Sequence, residues 1–101
     1  MIMRKIKSKV KPLAKTELKT LGKVLDEFDK QTTVDTGVNR ISGGFAVADM
    51  FNYDNEYIDI QLKWGVQSDC EDNVHTEQWK LKRSVLSSKK SIKRMVEEIE
   101  D

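Results

Sequence analysis

The chain has 101 residues, 35% of them charged and 38% hydrophobic, with a formal net charge of +1. A chain of this length is expected to form one core with little depth for a buried catalytic cleft, and its recurring Ile, Leu, Val and aromatic residues exclude wholesale disorder. A single cysteine, Cys70, excludes an internal disulfide, and no apolar run reaches the length of a membrane span or a signal-peptide core, so the expected setting is reducing and cytoplasmic.

The small net charge conceals a segregation along the chain. Residues 1–23 hold eight Lys/Arg against Glu17 alone, residues 24–78 hold three against twelve acids, residues 79–94 hold seven bases and no acid, and residues 95–101 hold four acids and no base. Such asymmetry bears on partners rather than on fold. Two basic blocks at opposite ends of one small domain are able to converge on one basic side, leaving the acidic middle to another.

In chain order, residues 1–11 read as a basic arm or edge strand. Lys5, Lys7, Lys9 and Lys11 alternate with Ile6, Ser8 and Val10, although Met3, Ile6 and Val10 also fit a turn of helix. Residues 12–101 read as a single α+β domain. Proline is tolerated in the first turn of a helix and not inside one, so a helix is expected from Pro12 to about Lys30, with Ala14, Leu18, Leu21, Leu25 and Phe28 on one stripe and Val24 beside it. Gly22 lies inside that helix at a cost of about 1 kcal/mol relative to alanine, which suggests a close packing contact there.

Turn residues Asp35-Thr36-Gly37 and Gly43-Gly44 flank a short candidate strand at Val38–Ser42. A hairpin follows, Phe45–Phe51 and Tyr57–Val66 around Asn52–Glu56, with Ile58, Ile60, Leu62, Trp64 and Val66 facing a core and Asp59, Gln61 and Lys63 facing water. Gln67–Thr76 is expected to be a polar, acidic surface loop. A last strand, Glu77–Leu86, sends Trp79, Leu81, Arg83 and Val85 to one face and Lys80, Lys82 and Ser84 to the other. Ser87 or Ser88 then caps a helix with Ile92, Met95, Val96 and Ile99 on its apolar stripe. The expected fold is a two-layer α+β sandwich in α-β-β-β-α order, a three- or four-stranded antiparallel sheet with both helices on one face.

The candidate functional residues are cations. Lys80, Lys82 and Arg83 adjoin Lys89, Lys90, Lys93 and Arg94, and Lys5, Lys7, Lys9 and Lys11 extend the patch, a footprint suited to a phosphate backbone and without base-reading groups. Both expected helices carry their cations early and their acids late, against the helix dipole, as if two helix starts faced one external anion. The leading expectation is a small non-enzymatic regulator or inhibitor, of the kind phages and mobile elements encode, that binds nucleic acid or a nucleic-acid-processing protein. It is expected to have no membrane partner and no cofactor, since neither a dinucleotide fingerprint nor a P-loop is present. One alternative is a protein-binding inhibitor acting through acidic loops 52–57 and 67–77, with Tyr53 and Tyr57 as anchors.

Two resemblances bear on these readings. The order helix, three strands, helix, with SSKKSIKR opening the second helix, is similar to the double-stranded-RNA-binding domain, and implies that Lys89, Lys90 and Lys93 meet phosphates across a groove. The first helix and the loop between the last two strands are longer than in that family, and Ile92, Met95 and Val96 replace its small alanines. Asp49 followed by Gln61-Leu62-Lys63 resembles a degenerate PD-(D/E)xK nuclease motif, which implies a divalent metal and a lysine that positions water; Ala48 and Gln61 depart from that pattern. Cys70 and His75 are too few for a closed zinc site.

Overall fold

The structure is a computed structural model and describes residues 9–67 and 72–101. Helix α1 (Lys15–Thr36) leads through a 3-10 turn (Val38–Arg40) into strands β1 (Gly44–Tyr53), β2 (Tyr57–Gln67) and β3 (Asp72–Lys82). A second 3-10 turn (Arg83–Ser87) and a short helix α2 (Ile92–Glu97) follow. The order is α-β-β-β-α, and the sheet is antiparallel in the order β1-β2-β3. Both helices lie on one face of the sheet, as the alternating pattern of β2 requires.

The core is where three elements meet. Ile58, Ile60 and Leu62 of β2 and Leu81 of β3 pack against Leu21, Val24 and Phe28 of α1 and Met95, Val96 and Ile99 of the C-terminal segment, with Val85 and Leu86 from the second 3-10 turn closing one end. Ile58, Ile60, Leu81 and Val24 are fully buried, each contributing about 1.5–3 kcal/mol of burial energy. At the other end Glu77 accepts hydrogen bonds from both indoles, Trp64 Nε1 and Trp79 Nε1, each at 3.0 Å, and the Trp79 ring meets Phe28 edge-on.

Several expectations are corrected by these contacts. Helix α1 begins at Lys15 and continues to Thr36, where Gly37 ends it in the left-handed conformation (φ 72°) and donates its N–H to the Thr33 carbonyl. Its buried stripe runs Leu21, Val24, Phe28 and Thr32, so Val24 stands inside the expected stripe rather than beside it, Leu25 is only partly buried at its margin, and Leu18 is exposed. The Thr32 hydroxyl is compatible with burial because it donates to the Phe28 carbonyl. Gly22 faces open space rather than a packing partner.

The candidate strand at Val38–Ser42 is a 3-10 turn that tucks Val38 into the interior. It requires glycine at position 44, where a Cβ would sit 1.8 Å from the Val38 carbonyl oxygen. The expected acidic loop is largely strand, for β3 pairs with β2 from Asp72↔Gln67 onward; residues 68–71, Cys70 among them, lie outside the described residues. Strand β3 stops at Lys82 rather than Leu86, and the chain turns there to bury Arg83, Val85 and Leu86 together. Helix α2 is capped by Ser91, whose hydroxyl accepts the Arg94 N–H, and not by Ser87 or Ser88. Ser88 instead donates to the Val85 carbonyl and closes the 3-10 turn.

Candidate functional site

The organising residue of the charged end of the molecule is Arg83. Strand alternation places it on the side of Trp79 and Leu81, and it is buried at 8% exposure. All five of its guanidinium donors are engaged. Nε and one Nη2 donor grip the Glu17 carboxylate at 3.1 and 3.2 Å, Nη1 donates to the carbonyls of Lys11 (2.7 Å) and Asp54 (3.1 Å), and Nη2 also donates to the Pro12 carbonyl (3.0 Å). A planar fork with five fixed donors suits this task and a lysine does not. The Glu17 carboxylate is held below the usual glutamate range, first by Arg83 and then by the Ala14 N–H that it caps. Arg83 is therefore a structural clasp and does not present its charge to a ligand.

The clasp pins the N-terminal segment to the β1–β2 turn. Asn55 completes the attachment by accepting the Lys11 N–H at 2.7 Å and donating to the Lys9 carbonyl at 3.0 Å, as a neighbouring strand would. The Asp54 carboxylate accepts the N–H groups of Tyr57 and Glu56, and these two bonds hold it below the usual aspartate range. An open groove of about 560 Å³ runs between the start of α1, this turn and the second 3-10 turn.

The result is a meeting of the two basic blocks. Lys9 and Lys11 are exposed on a segment tied to Arg83, while Lys80 and Lys82 are exposed at the adjoining end of β3, with Lys82 opposite Tyr57 in the register and Lys80 Nζ 5.5 Å from the Tyr57 ring centre. Lys89, Lys93 and Arg94 are also exposed; Lys90 reaches Glu98 at 3.5 Å and Arg94 reaches Glu97 at 3.6 Å, pairs of little energetic weight at such exposure. Among the described residues Lys9, Lys11, Lys80, Lys82, Lys89 and Lys93 form no ion pair. Lys5 and Lys7 lie outside the described residues.

Two parts of the expected electrostatics change. Lys89 and Lys90 precede α2 instead of occupying its first turn, and α2 has only six residues, so the anion-binding helix start expected there does not form. The first turn of α1 carries Glu17, already committed to Arg83. Asp54 does not lie apart from the basic side: its backbone carbonyl accepts from Arg83, and Lys80 and Arg83 are close enough to act on its charge.

The other candidates are placed as follows. Asp49 and Gln61 face each other across β1 and β2, with Lys63 two residues along on the same outer face; among the described residues no three His, Cys, Asp or Glu side chains cluster in a way that would hold a metal ion. His75 stacks on Trp64 with ring centres 4.5 Å apart. Glu17, Asn55 and Asp54, which build the clasp, have only faint signals in the sequence: Glu17 is the lone acid in a basic block, and Asn55 is one of several turn residues. Comparison of the chain with protein-family models, with curated proteins and with solved structures gave no match.

Proposed function

We propose that this chain is a small non-enzymatic binding module that acts on nucleic acid, as a regulator or inhibitor of its processing, through the basic surface at the hairpin-turn end of the sheet. The observation that carries this reading is the clasp of Arg83 and Asn55, which brings exposed Lys9 and Lys11 to the end of β3 that bears exposed Lys80 and Lys82. Folding gains little from gathering four unpaired cations at one end of a domain, whereas a polyanion gains a contact from each. Two carboxylates of the acidic segments are already engaged within the chain, that of Asp54 by backbone N–H groups and that of Glu77 by two indoles.

The test is fluorescence anisotropy with labelled oligonucleotides at two salt concentrations. Binding is expected to weaken steeply with salt and to fall when Lys80 and Lys82 are both changed to Glu, with a smaller reduction for the same change at Lys89 and Lys93. Absence of binding at low salt rules the reading out.

A further inference from the structure

Both helices cover one face of the sheet, and the other face carries a patterned surface that the basic end alone does not explain. The register assigns its residues. Across the three strands the outward rows are Phe45, Gly65 and Val74; Val47, Lys63 and Thr76; Asp49, Gln61 and Gln78; and Asn52, Asp59 and Lys80, with Tyr57 opposite Lys82 at the turn end. Val47, Phe51 and Val74 are 42%, 51% and 36% exposed. Phe51 falls on this face by simple alternation after the inward Met50, and a bulge between Met50 and Asn52 leaves it unpaired and brings Asn52 onto the same face. Bulges are over-represented at sheet edges and next to functional sites, and Phe51 stands half-exposed at this one, on the uncovered face.

We infer that this face binds single-stranded nucleic acid, the bases stacking on Phe51 and Tyr57 and the backbone following β3. The inference rests on the nucleic-acid reading above and specifies its substrate. From Val74 to Lys82 the outward row of β3 is Val74, Thr76, Gln78, Lys80 and Lys82, a run of apolar, hydrogen-bonding and cationic groups, while Glu77 faces the other way. Alternate residues of a strand lie about 6.8 Å apart, so Gln78, Lys80 and Lys82 form a regular ladder along which an extended backbone is contacted repeatedly. Asp59 lies opposite Lys80 on β2 and Glu100 is bridged to Lys80 along the free edge of β3, so the cationic contacts open to a phosphate are strongest at the turn end, where Lys82 adjoins Tyr57. An aromatic platform beside a cationic track is how single strands are held without sequence readout, and a duplex, whose bases are already stacked, cannot use the platform.

The experiment compares a single strand with a duplex of the same length by anisotropy, for the wild type, Phe51→Ala, Lys80→Gln and, as a control on the opposite layer, Val34→Ser, a position 75% exposed on α1. The single strand is expected to bind about tenfold or more tightly than the duplex, and Phe51→Ala to weaken single-strand binding about tenfold while changing duplex binding less than twofold. Lys80→Gln should weaken both, and Val34→Ser neither. Equal or tighter duplex binding, or single-strand affinity unchanged in Phe51→Ala, overturns the assignment of the sheet face and leaves the basic-end reading standing. Failure of the wild type to bind either form at low salt overturns both. Self-association that disappears in Phe51→Ala, without nucleic-acid binding, assigns the face to a second copy and likewise overturns the inference. Circular dichroism of each variant separates these outcomes from misfolding.

Discussion

Arg83 shows how a single side chain decides which cations remain available. Its five donors hold two turns and a helix start together, and replacing it leaves the Glu17 carboxylate and three carbonyls without their partner. Arg83→Met is expected to lower Tm on the order of 10 °C, and Arg83→Lys to recover little of it, since lysine cannot reproduce the fork; thermal unfolding by circular dichroism measures both. The pH dependence has two opposing parts. Glu17 is held below its ordinary range by Arg83, so its contribution is present above about pH 4.3 and is lost as the pH falls through the depressed value. Glu17→Gln is therefore expected to flatten the acid side of the stability profile, leaving the part due to Asp54. Asp29 is raised, first by partial burial and then by the charges of Asp26 and Asp49, so its ionisation removes stability as the pH rises through its elevated value. Asp29→Asn is expected to stabilise the fold at pH 7 by about 0.5 kcal/mol or less, given its exposure to solvent screening, and to have no effect in acid.

At the scale of elements, α1 carries an unneeded helix weakness. Gly22 faces open space in the middle of 22 helical residues, so Gly22→Ala is expected to add about 0.5–1 kcal/mol, a rise of several degrees in Tm. A close contact at this site would instead make the substitution destabilising. The sheet was legible in the sequence where a strand separates a core face from a wet one: Ile58, Ile60 and Leu62 alternating with Asp59, Gln61 and Lys63 define β2 and its register. It was not legible where the alternation is polar on both sides. In residues 72–76 the acidic composition reads as loop, yet the pairing of Val74 with Gly65 and His75 with Trp64 continues the sheet. The start of α2 was obscured by three serines able to cap it, and Ser91 prevails because Ser88 is used to close the preceding turn. Arg83 gave its role away by falling on the Leu81 side of the alternation, but counting charges alone places it among the surface cations.

At the scale of the whole molecule, the segregated charge of the chain becomes a geometric arrangement through contacts that are themselves mostly uncharged. Asn55 and the carbonyls of Lys11, Pro12 and Asp54 position the N-terminal lysines beside β3, and the uncovered sheet face extends from that end. The chain then joins a cationic end to an aromatic platform, with its helices behind. None of that follows from composition, because the clasp pairs residues 66 positions apart. The central claim is that Lys80 and Lys82 contact phosphates. The most direct test is the slope of log affinity against log salt for a single-stranded oligonucleotide, compared between wild type and the double variant Lys80→Gln/Lys82→Gln. Removing one lysine–phosphate pairing is expected to make the slope shallower by about 0.7, so the double variant should differ by roughly 1.4; an unchanged slope, or the absence of any salt-dependent binding by the wild type, would contradict the account.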